Sequence, residues 1–410
     1  MSAGPVGIEG LGVDVGTLAL DIGQLCDARG LDADNFVRRL HCRERTVLSP
    51  FDDVVTLAVN AARRLVTPVT RPHIRWLMVA TESAIDQEKP VSSWVHRLLD
   101  LPSDCRNFEV KHACYGATAA VQVARRLVVS DPDPDARVLV INADHALLGL
   151  HGVQEPVLGA GAAAVLISRH VQLAEFEGAA SGVFAHETAD IFRPAPGVET
   201  GDAETSLASY LDGVAETYAD YERKWGAPID FERHFAAHIY HVPFGGLAER
   251  AHMRLAQQAL GLSRTAAREH WARKSAPSLR YTRRLGGIYG ASTFVALAAL
   301  LAEHPPAPGA RVGVYAYGSG SCAEFYGMRT TASSQRVAQA LHIDAALDAR
   351  RALSIAEYEA CELALHGAMH KPAHVPVRAV LPGLYETHYA GTGRLVLRGI
   401  RDYVREYAWS

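Results

Sequence analysis

Apolar residues in this chain recur with two distinct patterns. Ile74 to Ala80, Arg137 to Ala143 and Ala162 to Ser168 are short runs rich in apolar residues, with little polar alternation. Such runs predict strands buried on both faces. Between them lie longer stretches with apolar residues at helical spacing: Val54 to Val66, Tyr115 to Val129 and Gly290 to His304. Arg311 to Ser321 predicts a strand running into a Gly/Ser turn, and Asp131 to Ala136 a surface turn. Alternating strands and helices predict an α/β chain with both sheet faces covered. The segment Gly197 to Gly226 is acidic and mostly helical, and reads as an insertion or cap between two α/β halves.

Length and charge narrow the picture. A chain of 410 residues exceeds one ordinary core and fits two domains, or a duplicated one. No run of about 18 apolar residues predicts a membrane span. The first residues lack the basic stretch of a secretory signal, so a cytoplasmic protein is expected. The six cysteines, at 26, 42, 105, 114, 322 and 361, form no CxxC pair, so neither zinc nor disulfides are expected. A formal net charge of −4 argues against nucleic acid as a partner. Locally, Arg264, Arg268, Arg273, Lys274, Arg280, Arg283 and Arg284 face only Glu269 within their own stretch. That stretch is either a solvated surface or a dock for an acidic partner.

Three residues carry candidate chemistry. Cys114 falls between a strand end, Asn107 to Val110, and the helical stretch from Tyr115. A thiol at a helix N-terminus is favoured as thiolate, the nucleophilic form. The small residues Gly116 to Ala120 would let a substrate or a neighbouring helix approach. A free cysteine is also commonly a core residue. Glu82 lies just past the strand Ile74 to Ala80, where burial would raise its pKa towards acid/base use, although it could equally cap a helix. His241 follows a short apolar run and precedes Pro243 and Gly245–Gly246; His238 and His252 are as readily surface residues. Together they make nucleophile, acid/base and oxyanion partner.

These residues lie in stretches that resemble the 3-hydroxy-3-methylglutaryl (HMG) synthases, condensing enzymes of the thiolase superfamily. The most specific are Thr81–Asp86 (TESAID) and Glu109–Tyr115 (EVKHACY), with EPVLGAGAAAVLI, IFRP, HVPFGG and YAYGSGSCAEFYG in the same order. The resemblance implies a thiolase-like αβαβα five-layer sandwich of two pseudo-repeated halves, residues 1–170 and 171–410, and a homodimer joined through the N-terminal half. It implies that Cys114 carries an acetyl thioester, that Glu82 removes a methyl proton and later protonates the alkoxide, and that His241 polarises the acceptor ketone. Backbone N–H groups near Cys114 and in the turn Gly318, Ser319, Gly320 and Ser321 are expected oxyanion donors. Tyr115, His186, Phe192, Arg193, Ser206 and Tyr210 are expected near the pocket.

The Gly245–Gly246 pair after HVPF resembles the branch that acts on acyl carrier protein (ACP) in polyketide β-branching. The synthases of primary metabolism, which use coenzyme A, resemble one another in a lysine there. The implied partners are donor and acceptor ACPs, with phosphopantetheine carrying the acyl groups and no tightly bound cofactor or metal. Arg264, Arg268, Arg273 and Lys274 become the expected dock for acidic ACP helices. One position departs from the pattern. Gly287 stands where the family usually has the asparagine of its Cys-His-Asn set. Two rival readings follow: a coenzyme A-dependent synthase of primary metabolism, and an acyl-carrier binding or acyl-transfer protein that forms no carbon–carbon bond.

Overall fold

The structure is a computed structural model describing residues 4–146, 150–152, 154–195, 198–368, 371–376 and 378–410. Nine strands form its main sheet: β1 (Gly7–Asp14), β2 (Ile74–Ala80), β3 (Arg106–Val110), β4 (Arg137–His145), β5 (Ala160–Ser168), β6 (Ala174–Ala185), β7 (Ala237–Tyr240), β8 (Arg311–Gly318) and β9 (Cys322–Thr330). Their order is β7-β8-β9-β6-β1-β5-β4-β2-β3. From β1 outward the pairings run antiparallel, antiparallel, parallel, through β5, β4 and β2. From β6 outward the same sequence of pairings runs through β9, β8 and β7. The nine-stranded sheet therefore consists of two smaller sheets that repeat one topology, with β3 added at the edge of the first. The ladder between them pairs Gly7↔Glu175 and Ile8↔Ala174, and Phe176 N–H donates to Val6 O at 2.9 Å beside it. A Cβ on Gly7 would lie 2.3 Å from the Ala174 carbonyl oxygen, so the junction needs glycine.

Six helices complete the layers that matter here: α1 (Val54–Ala62), α2 (Gly116–Ser130), α3 (Ala203–Trp225), α4 (Gly245–Leu260), α5 (Arg264–Lys274) and α6 (Ala291–Glu303). Leu77, Val79, Leu139 and Ile141 face α1, whereas Met78, Val138 and Val140 face α2 across the same sheet. Both faces are thus buried, as the apolar runs predicted. Helix α6 is buried from Ala291 to Ala302 and touches β1, β4, β5 and β7, so it lies between the two sheets. An α-helix apolar all round belongs in such a central layer. Helix α2 shares that layer, reaching β9 through Gln122 to Glu324 at 2.6 Å. Helices α3 and α4 cover the C-terminal sheet from outside, and α1 covers the other.

Three expectations change. Helix α1 opens on a capping box of Asp53 and Thr56 but stops at Ala62, short of Val66. The chain turns there because Thr67, which precedes Pro68, exchanges hydrogen bonds with Thr70 at 2.9 and 3.1 Å. The acidic segment is not a separate cap. Gly197 lies outside the described residues, Val198–Gly201 pairs with Ile191–Ala195, and α3 is an outer layer of the C-terminal sheet. Its Tyr210, Val214, Tyr218 and Tyr221 are buried, and a Cβ on Gly182 of β6 would lie 1.8 Å from Thr217 O. His238 and His252, read as possible surface residues, are fully buried. Among the described residues, no helix is long and apolar enough to cross a membrane.

Candidate active site

Strands β2 and β3 run parallel, so their carboxyl ends emerge side by side. Glu82 follows the first and Cys114 the second. The Glu82 carboxylate accepts the Ala113 N–H at 2.6 Å, which fixes it one residue from the thiol. Ala113 holds φ at +41°, an uncommon conformation for a residue with a side chain. Cys114 then sits half-buried in a single turn, Ala113–Tyr115, that leads into α2. The N–H groups of Tyr115 and Gly116 both donate to His112 O, at 3.0 and 3.1 Å.

A third carboxylate, Asp144 at the end of β4, lies beneath this pair. It accepts hydrogen bonds from Glu82 N at 2.7 Å, Ser83 Oγ at 2.9 Å, Asn142 Nδ2 at 2.9 Å and Thr81 Oγ1 at 3.1 Å. Burial pushes Asp144 up to about 7 despite those donors. Burial also raises Glu82, opposed by the Ala113 N–H and by Lys111 and Arg193. The Cys114 thiol is pushed well above its ordinary value, first by burial and then by the charges of Asp144 and Glu82. The helix start therefore does not make a standing thiolate, contrary to the sequence expectation. Desolvation and neighbouring acids outweigh the dipole, and the thiol must give its proton to a base as it reacts.

His241 follows β7. Its N–H donates to Tyr315 O at 2.7 Å, and its carbonyl accepts from Tyr210 Oη at 2.7 Å. Nδ1 lies 2.9 Å from Ser292 Oγ, which also accepts Val242 N–H at 3.0 Å. The opposite ring nitrogen, Nε2, is buried without a hydrogen-bond partner, and burial pushes the imidazole down to about 3. The start of α6 touches both ends of the site. A Cβ on Gly290 would lie 2.6 Å from Cys114 O, and Ser292, two residues on, holds His241.

The ribbon Ile191–Ala195/Val198–Gly201 closes one side. Its Arg193 donates to Glu82 O at 2.9 Å, to Glu199 at 3.0 Å and to Tyr289 Oη at 2.6 Å. Phe192 beside it is exposed, as is His186, while Ser206 in the first turn of α3 is half-buried and donates its N–H to Asp202 O at 2.9 Å. Tyr115 points away, its hydroxyl donating to Glu324 at 2.8 Å. In the Gly318–Ser321 turn, Gly320 N–H donates to Asp190 at 2.8 Å and Ser321 N–H to His186 O at 3.2 Å. Those two groups are engaged within the protein. Gly318 abuts the nucleophile's turn, where a Cβ would lie 2.6 Å from Tyr115 N. Gly287 donates its N–H to Val157 O at 2.7 Å, and a Cβ there would meet Val157 O at 3.1 Å and Pro243 O at 3.2 Å. Sequence reading missed Asp144, Ser292, Tyr289, Glu199 and Asp190.

The basic stretch divides. Lys274 donates to Glu232 O at 2.8 Å and Phe235 O at 3.0 Å, and Arg273 lies 3.6 Å from the Glu232 carboxylate. Arg280 and Arg284 pair with Asp344 and Asp348. Arg268 pairs with Glu249 at 2.9 Å, and with Arg264 it lines an open groove of about 1230 Å³ that also carries Arg38, Arg39, Arg250 and Arg254. Among the described residues, His73, Asp133 and Asp135 come close enough to share a metal ion. His73 lies before β2 and the two aspartates before β4, at the opposite end of the sheet from Asp144, and Arg75 and His170 already pair with the two carboxylates.

The models of the hydroxymethylglutaryl-coenzyme A synthase N-terminal and C-terminal regions match residues 3–171 and 256–389. The polyketide biosynthesis 3-hydroxy-3-methylglutaryl-ACP synthase PksG of Bacillus subtilis (strain 168) is 33% identical over 417 residues, covering 98% of this chain and 99% of PksG. The hydroxymethylglutaryl-CoA synthase of Enterococcus faecalis is 32% identical, covering 87% of this chain and 91% of its own. The solved HMG synthase of the curacin biosynthetic pathway superposes with a TM-score of 0.94 at 33% identity, covering 99% of this chain and 100% of its own. That enzyme has also been solved in complex with acetyl donor-ACP. With its repeated sheet topology and its Cys-Glu pair at the strand ends, the chain belongs to the hydroxymethylglutaryl-coenzyme A synthase family and has the thiolase-like fold.

Proposed function

We propose that the protein is an HMG-ACP synthase of polyketide β-branching. The observation that carries the chemistry is the 2.6 Å hydrogen bond from Ala113 N–H to Glu82, which sets a carboxylate beside the Cys114 turn. In this reading the Cys114 sulfur attacks the thioester of acetyl-ACP. The pantetheine thiol leaves with the cysteine proton, and acetyl-Cys114 remains. Glu82 takes a methyl proton, and the resulting carbon nucleophile attacks the β-ketone of an ACP-bound polyketide. Its raised pKa suits both the proton removal and the return of that proton to the alkoxide. His241, neutral at working pH, donates Nε2–H to the ketone oxygen as charge develops there. Water then cleaves the Cys114 thioester, leaving a carboxymethyl branch beside a hydroxyl.

Donor and acceptor ACPs are the partners in this reading. The arginine groove fits their acidic helices, with Arg264 and Arg268 at the dock and Arg273 and Lys274 left to structure. Residues 1–170 and 171–410 are its two halves. The edge strand β3, paired on one side with β2 and with Phe108 exposed, supports a homodimer joined through the first.

The test is intact-protein mass spectrometry after incubation with acetyl-ACP and, separately, acetyl-CoA. A +acetyl adduct on wild type, faster from acetyl-ACP and absent in Cys114→Ala, is expected. A β-ketoacyl-ACP added next should yield the branched product. Acetylation by acetyl-CoA alone would select the primary-metabolism reading. Acetylation without condensation would select the acyl-transfer reading, which Gly287 favours.

A further inference from the structure

We infer that Ser292 is a positioning residue that holds His241 as the tautomer protonated on Nε2. The inference deepens the proposed reaction and rests on it for its kinetic arm. Ser292 is fully buried. Among the hydrogen bonds of the described residues, its Oγ has two partners, Val242 N–H at 3.0 Å and His241 Nδ1 at 2.9 Å. The amide can only donate, so it occupies a lone pair of Oγ and fixes the hydroxyl in place.

Two arrangements of the remaining protons are then possible. If Nδ1 carries the imidazole proton, Oγ accepts twice, and its own hydrogen is left without an acceptor. The bare Nε2 is then left without a donor as well. If Nε2 carries the proton, the hydroxyl donates to Nδ1, and the Nε2–H alone is left over. The second arrangement leaves one buried polar group unmatched and the first leaves two. Unmatched buried groups are the costly ones, so the second is favoured.

The single unmatched group is then a donor, enclosed and awaiting an acceptor oxygen. Burial keeps the ring neutral, so it donates without needing a proton from solvent. The same helix start places Gly290 against Cys114 O, so the donor and the nucleophile are referenced to one rigid element. Gly287 offers no side-chain donor nearby, and the direction of this one imidazole hydrogen bond gains weight accordingly.

The first experiment is a ¹⁵N–¹H correlation spectrum of histidine-labelled protein, with the His241 signal identified by its loss in His241→Ala. Nε2 protonated and Nδ1 bare is expected. The reverse pattern would overturn the inference, whatever the enzyme's activity. The second compares Ser292→Ala and Ser292→Thr with wild type. Alanine should mix the tautomers, leave Cys114 acetylation within about twofold, and slow condensation by about 10- to 100-fold, by analogy with the loss seen when the partner that orients a metal-bound histidine is removed. Threonine, which keeps the hydroxyl, should restore both. Unchanged tautomer and condensation in Ser292→Ala would sink the idea. If that variant fails to fold, the wild-type spectrum still decides. If wild type acetylates but never condenses, the proposed reaction fails while the tautomer stays tested.

Discussion

The backbone N–H of Glu82 donates to the carboxylate of Asp144 at 2.7 Å, so the two acids beside Cys114 are tied through the amide of one of them. Asp144 is buried and carries no cationic partner among its hydrogen bonds, and its charge is the second cause, after burial, of the raised Cys114 thiol. Removing that charge must therefore lower the thiol pKa. Asp144→Asn should alkylate faster with iodoacetamide at mildly alkaline pH, and its rate–pH curve should move to lower pH than that of wild type. An unmoved curve would show that Asp144 is protonated and electrostatically silent there, and one displaced upward would overturn its charge as a cause of the raised thiol.

Glu82 is placed to move protons rather than to hold the thiol. Its carboxylate touches Ala113 N–H, and its backbone carbonyl is held separately by Arg193. Glu82→Ala should keep acetylation of Cys114 near the wild-type rate and slow condensation by about 10²- to 10⁴-fold, the range for losing a general base. Single-turnover assays with preformed acetyl-enzyme separate the two steps. Equal loss in both would assign Glu82 to the thiol proton instead.

Glu82, Cys114 and His241 could be singled out as candidates in the sequence because each stands just beyond a strand-like run, where α/β folds place their chemistry. Their supports were not. Asp144 lies 62 residues from Glu82, and Ser292 lies 51 from His241. Nothing local marks either as a partner. The ion pairs of the basic stretch were hidden for the same reason, since Glu232, Asp344 and Asp348 reach it from elsewhere in the fold. The acidic segment did carry a usable signal. Tyr210, Val214, Tyr218 and Tyr221 recur at helical spacing, the stripe of a helix packed on a sheet rather than of a free cap.

His238 is buried against Phe231, their rings stacked at 4.7 Å, and neither of its ring nitrogens has a hydrogen-bond partner. Burial and the nearby His252, His270 and Lys274 hold it well below its ordinary 6.5. The unfolded chain therefore binds a proton below that value while the native protein does not. The residue destabilises the fold as pH falls through about 6.5 and has no such effect above it. Other buried groups shift in both directions, so the clean readout is a difference. His238→Leu should gain thermal stability relative to wild type on going from pH 7.5 to 5.5. A pH-independent difference in Tm would mean that His238 is charged or solvated in the native state.

Arg250 and Arg254 are exposed on α4 and line the arginine groove, remote from the hydrogen bonds of the site. Reversing both to glutamate should raise the KM for acetyl-ACP by about tenfold or more with little change in kcat, because each close like-charge contact opposes docking. The effect should shrink in high salt. Lys274→Met serves as the contrast. It removes a donor to Glu232 O and Phe235 O, so it should cost about 1–3 kcal/mol of stability and leave the KM for ACP alone. An unchanged KM in the double reversal would move the dock off this groove.

The surroundings of Gly287 oppose the reading that it is a simple loss that an asparagine would repair. A Cβ at this position meets the carbonyl oxygens of Val157 and Pro243 at 3.1 and 3.2 Å, tighter than ordinary contact. Both are backbone atoms and cannot rotate aside. Val157 O also accepts the Gly287 N–H at 2.7 Å, so separating the two chains stretches that bond. Pro243 stands two residues after His241, and Val242 between them is pinned to Ser292. Displacing Pro243 would therefore turn the imidazole away from its fixed direction. Overpacking of this kind costs about 1–3 kcal/mol. Gly287→Asn should melt at lower temperature than wild type and condense more slowly, with Cys114 acetylation nearly intact. Faster condensation at unchanged Tm would mean that the space has been kept open and that the asparagine alone was lost.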